Sequence, residues 1–359
     1  MAALFAPGAQ AEDVAARALE EAGPEGIYDF AEAYGAGADV KGLAEGALKG
    51  ALPGIGELLA WLRARAAEPI AQVLSLGKGL MAPVLLMALA RCASPREQSG
   101  GARFLLRMAL ILGFSRLSIV ALDAAQDCLS AVGAFSDVAA PALAALLTAM
   151  GMGGSAALVS PAAALAGDMA ERLFRDWGLP LCRLALCTAI AGNLSPSLDL
   201  SRATKLFRRA ANWGTGLAVT LFTALLSLQG TVGGAADGVA LRTAKYAVDS
   251  AAPVIGSGVS DAWESYVAGM ALAKNALGVS GIAALLAAGL RPVLICGASM
   301  LALQLIAAIL DALGEASAAR AAEQMGGICQ MGLALSTGAL AVGTVLMGAA
   351  MAMGGRIAG

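Results

Sequence analysis

Long stretches without a charged residue dominate the chain. Gly214 to Val232 and Pro292 to Leu310 each run 19 residues uncharged, and Ile328 to Met353 runs 26. An α-helix rises about 1.5 Å per residue and needs roughly 20 apolar residues to cross about 30 Å of hydrocarbon. The pattern predicts an all-α, polytopic helical membrane protein with about six to eight membrane segments.

Comparing the chain with itself reveals one recurring offset. Pro141 in DVAAPAL answers Pro253 in DSAAPVI, since 253 − 141 = 112, and Asp137 answers Asp249. Pro180 and Pro292, Asp199 and Asp311, Arg208 and Arg320, and Gly214 and Gly326 repeat the spacing. Proline and aspartate are rare here, so the coincidences predict an internal duplication with interrupted helices, broken at Pro141, Pro180, Pro253 and Pro292. The expected organisation is an acidic extracytoplasmic region over 1–68, a first span and basic loop over 69–102, repeat units over 103–213 and 214–326, and a last span with the C-terminus over 327–359.

Charge orients these pieces. Arg91, Arg96, Arg103 and Arg107 cluster at the start of the first unit, and Arg202, Lys205, Arg208 and Arg209 at its end. The positive-inside rule puts both clusters in the cytoplasm, so each unit crosses an even number of times and the repeats are parallel. Spans are expected near 69–90, 104–122, 177–194, 214–232, 291–312 and 328–353. Val138 to Gly167 is also uncharged, but Gly151, Gly153, Gly154 and Pro161 break it. It reads as a re-entrant or surface-lying hairpin, with a seven- or eight-span arrangement as the alternative.

Composition strengthens the membrane reading, with 58% hydrophobic and 14% charged residues among 359, and a mean hydropathy of +0.74. A net charge of −2 and no basic run interleaved with aromatics argue against nucleic-acid binding. The six cysteines are scattered without a C-x-x-C and read as buried small hydrophobes. At the amino end, Ala9-Gln10-Ala11 is either the tail of a truncated signal peptide or part of an Ala-rich terminus. Residues 12–68 carry eleven acids against five bases, which suits the outer side of a membrane.

The polar interruption between Asp237 and Lys274 is the candidate site. Arg242, Lys245 and Asp249 share a helical face; Pro253 with Gly256 and Gly258 ends that helix; Asp261 and Glu264 fall in the first turns of the next, ahead of Lys274 and Asn275. The segment is either a solvated elbow or a polar surface facing a pore or a partner. Among charges inside or beside spans, Arg183 and Arg291 lie where long side chains can snorkel, whereas Lys78 and Arg116 are expected to make inter-helix contacts.

Enzyme chemistry has little foundation. The chain has no histidine, which removes His-based acid/base catalysis and His metal ligands. Neither G-x-x-x-x-G-K-[ST] nor G-x-S-x-G occurs. No catalytic residues, metal site or cofactor are expected.

The strings DGVALRTAKYAVDSAAPVIGSGVSDAWES (Asp237 to Ser265) and AKNALGVSGIAALL (Ala273 to Leu286), after LSLQG (Leu226 to Gly230), resemble the stage III sporulation protein AE family; SRATKLFRRAANW (Ser201 to Trp213) is a weaker match. The resemblance implies a multi-pass component of the channel or secretion-like complex between mother cell and forespore, needed for late forespore gene expression. It implies partners among other stage III A sporulation membrane proteins and their ATPase, and a place in the mother-cell membrane around the forespore. Oligomeric state is left open. A self-contained permease for a small solute or ion is the rival, because parallel repeats with interrupted helices also describe some transporters.

Overall fold

A computed structural model describes residues 7–21, 23–48, 55–93, 100–149, 172–194, 200–224 and 257–352. Among these residues the fold is helical with no strand. Three short helices come first: α1 (Pro7–Glu21), α2 (Glu25–Ala33) and α3 (Gly37–Leu48). The long helices α4 (Ile55–Ala93) and α5 (Gly100–Ala149) follow. A π-helical turn (Leu173–Gly178) leads into α6 (Leu179–Leu194), and α7 covers 201–224. The chain closes with α8 (Ser257–Ala312) and α9 (Ala316–Ala352). Five helical stretches are long and apolar enough to cross a membrane: Arg63–Leu89, Phe104–Ala149, Leu173–Leu194, Ala268–Ala312 and Ala316–Gly348. The architecture is that of a polytopic helical membrane protein. The expected sixth span, 214–232, is described only as far as residue 224.

Contacts set the relative directions. α5 and α9 run parallel, because Ser118 bonds the carbonyl of Met325 at 3.5 Å and Cys128 reaches that of Ser336 at 3.9 Å. α8 runs against both, with Cys296 on the carbonyl of Ala121 at 3.1 Å and Gly281 beside Met347 and Phe135. α4 opposes α5 through Leu80 on Gly113. α6 opposes α9, whereas α7 follows it, with Arg208 at Gly327 and Thr215 and Val219 at Gly338. These alternations agree with the up-and-down order that the charge clusters predict.

Three of the expected helix breaks fail. Pro141 lies inside the 50-residue α5, and Pro292 inside the 56-residue α8. A proline removes one backbone bond and costs about 3 kcal/mol in an isolated helix. Here packing outweighs that cost, since Ala139, Ala140, Ala142 and Leu143 are buried around Pro141, and Ala288, Ile295 and Cys296 around Pro292. Pro180 sits at the second position of α6, directly after the π-turn, and the chain stays helical through it. The wider π-turn accommodates the proline ring where an α-turn would clash. Pro253 lies outside the described residues. Val138 to Ala149, expected in a separate hairpin, continue α5.

Continuity makes these helices longer than a bilayer. Fifty residues rise about 75 Å, more than twice the hydrocarbon thickness. Exposed large hydrophobics on α5 occur only in its first half, at Phe104, Leu105, Leu112 and Ile119, whose other face buries Leu110, Ile111, Phe114 and Leu117; the second half buries Leu129, Phe135, Leu143 and Leu146. That half lies against α8 and α9 and beneath the amino-terminal helices, through Phe30 on Phe135 at 5.5 Å and Gly26 on Val138.

Small residues bring α8 and α9 together. Gly289 faces Leu340, Gly343 faces Leu285 and Gly278 faces Met351, so each bulky side chain fills the place of a missing Cβ. Close approach of this kind supplies association energy in hydrocarbon, where lipid is as apolar as leucine. Gly297, on the same helix as Gly289, meets nothing within 4 Å. Gly289→Ala is therefore expected to lower thermal stability in detergent by about 1–3 kcal/mol through overpacking. Gly297→Ala should be neutral or raise it by up to about 1 kcal/mol. Thermal unfolding of both variants followed by circular dichroism checks the contrast, and equal shifts would remove the packing argument.

Candidate functional site

The structure divides the predicted polar segment. Asp237, Arg242, Lys245 and Asp249 lie outside the described residues, as does Pro253. Asp261 and Glu264 lie near the start of α8, on the helix that Ser257 opens. Lys274 and Asn275 follow on the same helix with opposite fates: Lys274 is buried to 4% exposure and engaged, and Asn275 is exposed. The described part of the segment is therefore continuous helix, with one buried lysine next to one exposed amide.

α1 and α3 pack along this part of α8, so the amino-terminal helices form a cap over it. Gly269 allows the closest approach, since a Cβ there would lie 2.6 Å from the carbonyl oxygen of Ala11 and 2.8 Å from Val14. A polar clamp holds the cap to the start of α4. The Asp39 carboxylate accepts from Trp61 Nε1 at 2.8 Å and from Arg65 at 3.1 Å. Arg65 also donates to the carbonyls of Tyr34 and Gly35, where Gly35 takes φ +69° as the chain leaves α2. That left-handed conformation suits glycine and turns the carbonyls toward the guanidinium. The guanidinium also stacks 4.9 Å from the Trp61 ring centroid. None of this was legible in the sequence, because Asp39 and Arg65 are far apart in the chain and share no local pattern.

Two tyrosines are partly buried in the cap, Tyr28 among its own helices and Tyr34 beside α5. Burial, and then the nearby Glu45, push the Tyr28 hydroxyl above its ordinary value. Burial acts likewise on Tyr34, with Asp127 and Cys128 of α5 adding to it. Both phenols therefore favour the protonated form in the docked state.

Beneath the cap, hydroxyls and thiols line the α5–α8–α9 core. Ser118 bonds the carbonyl of Phe114 at 3.1 Å and receives Cys329 at 3.7 Å. Cys128, Cys182, Cys296 and Cys329 are buried free thiols. Cys128, Cys296 and Cys329 each reach a partner on a neighbouring helix, and these four thiols fit the reading of the cysteines as core residues, whereas Cys187 is exposed and departs from it. No group of three or more metal-ligating side chains occurs among the described residues.

The intramembrane charges behave differently from expectation. Lys78 and Arg116 are exposed on their helices. It is the two arginines expected to snorkel at span ends that join helices, and the structure puts both in mid-span: Arg183 to Gln126 at 2.7 Å and Asp123 at 3.7 Å, and Arg291 to Glu68 at 3.9 Å. Their reach explains the reversal, since a long side chain extends to a neighbouring helix while its charged head stays exposed.

The family described as Stage III sporulation protein AE matches residues 53–353. A relative of that name from Bacillus subtilis (strain 168) is 27% identical over 261 residues, covering 71% of this chain and 65% of the relative. The match thus spans just under two thirds of the relative's own length. No solved structure matches the chain. α1, α2 and α3 precede the matched residues, whereas the α5 and α8 surfaces that they cover fall within them.

Asp39→Ala removes the acceptor for Trp61 and Arg65. The Asp39 side chain is half exposed, so the expected loss is modest, roughly 0.5–1 kcal/mol. It should appear as faster protease cleavage between α3 and α4, with unchanged helix content. Raised phenol values give a second outcome: cap stability is fully present below the ordinary tyrosine value of 10.0 and falls as pH rises through the higher docked values. Cleavage should accelerate above pH 10 in the native chain, and less so in Tyr28→Phe/Tyr34→Phe.

Proposed function

The chain belongs to the stage III sporulation protein AE family, and from that premise we propose that it is a non-enzymatic membrane component of a sporulation channel or secretion-like complex. The complex would join mother cell and forespore and support late forespore gene expression. Its partners would be the other stage III A sporulation membrane proteins and their ATPase. The protein would reside, multi-pass, in the mother-cell membrane around the forespore.

One structural observation supports this reading beyond the family: α5 and α8 are 50 and 56 residues long. Helices of that length extend well past about 30 Å of hydrocarbon and build a layer outside it. A component bridging to proteins on one side of a membrane needs such a layer. Asp261 and Glu264 stand on it, at the end of α8 remote from Asp311.

The rival reading, a permease, draws on Lys274, because a buried ionisable group in an apolar helix often marks a solute or proton path. The two readings part experimentally. A complex component co-purifies with sibling stage III A proteins from sporulating cells, and Asp261→Asn/Glu264→Gln reduces that recovery severalfold while the purified chain moves no solute. If instead the chain alone in vesicles carries a solute or ion flux that Lys274→Gln abolishes, the channel-component proposal fails.

A further inference from the structure

The exposed stripe of α7 combines charge and oil in a graded order. Arg202, Lys205 and Arg209 come first, with Leu206 among them, and Trp213, Leu217 and Leu221 follow on the same side. At 100° per residue these positions fall within just under half of the helix circumference, about 160°. The opposite side is the packed one, carrying Thr204, Ala211, Thr215, Ala218 and Phe222. Leu206 is 64% exposed and Trp213 70%. Arg208 is set apart, its guanidinium lying at Gly327 of α9.

Among the described residues, no carboxylate pairs with Arg202, Lys205 or Arg209. Three unneutralised cations over two turns, followed within one turn by an exposed tryptophan and then leucines, match the profile of a phospholipid leaflet. That profile runs from anionic phosphodiester through the interface, where tryptophan concentrates, to hydrocarbon. We propose that this face of α7 is a binding site for an anionic phospholipid, whose phosphodiester and headgroup charge lie between Arg202, Lys205 and Arg209 and whose acyl chains run along Trp213, Leu217 and Leu221. Charge complementarity and the continuous apolar track select a lipid over an acidic protein segment, which would leave the leucines without a partner. The site does not depend on the channel-component reading.

The test uses the full chain in detergent, with native mass spectrometry counting retained lipid as phosphatidylglycerol or phosphatidylcholine is added. The wild type should bind phosphatidylglycerol at least tenfold more tightly than phosphatidylcholine, as roughly 1 kcal/mol per interfacial cation implies. R202Q/R209Q should bring the two lipids within about twofold, R202K/R209K should keep the preference, and R17Q/R63Q, which removes two cations elsewhere, should leave it unchanged. Circular dichroism establishes that each variant folds. Equal binding of the two lipids by the wild type would overturn the site, as would a preference surviving R202Q/R209Q. Displacement of phosphatidylglycerol by equimolar inorganic phosphate would overturn it in favour of a free-anion site. Displacement by an equimolar acidic peptide would overturn it in favour of a protein partner.

Discussion

A peptide group in hydrocarbon has no water to turn to, and this constraint governs the whole molecule. Each N–H and C=O must find its partner inside the same helix, so the chain stays helical even where a local rule would end the helix. Proline shows the balance most clearly. In water a proline in mid-helix loses one bond that solvent readily replaces on the broken form, so breaking is cheap. Around Pro292 the broken form would leave several groups unpaired and open packed contacts of Ala288 and Cys296, and around Pro141, in the layer beneath the cap, it would open those of Ala140 and Leu143. Losing one bond is then the smaller cost.

The same constraint explains why side-chain polarity is so small in the core. Ser118, Ser136 and Ser336 bond carbonyls of their own helix, with Ser136 on Val132 and Ser336 on Gly332, both at 3.0 Å. They carry their satisfaction with them and leave helix faces free to approach. Glycine completes the arrangement, since Gly281, Gly289 and Gly343 are places where a neighbour's bulk replaces an absent Cβ. Specificity of pairing thus comes from shape, because in lipid burial alone does not favour one helix partner over another.

What the sequence disclosed follows from this division. Uninterrupted apolar length revealed that the chain spans a membrane several times but understated Phe104–Ala149 and Ala268–Ala312, and arginine clusters agreed with the alternating directions, because both are one-dimensional signals. Burial of Cys128, Cys182, Cys296 and Cys329 was legible for the same reason. Helix continuity through Pro141 was not, since it depends on three-dimensional packing that outweighs a local preference. The cap was invisible for a different reason: α1 to α3 read as an acidic, polar region, and only folding brings Asp39 to Arg65 and Phe30 to Phe135. Of the candidate site, the sequence located Lys274 and Asn275 but could not tell which of two adjacent polar residues faces inward.

That distinction bears on how charge is used along the chain. Arg183 with Asp123 and Arg291 with Glu68 are more than half exposed, so their attraction is weakened by solvent and adds little stability. They cost little as well, because both partners keep most of their surface exposed. Lys274 is the opposite case, because an ammonium at 4% exposure carries a desolvation cost that only specific partners can offset. The register of α8 beneath the cap is set by shape, since Gly269 lies under the carbonyl of Ala11 and the side chain of Val14. Sliding the helix by a single turn, about 5 Å, would bring a residue with a Cβ to a place where none fits.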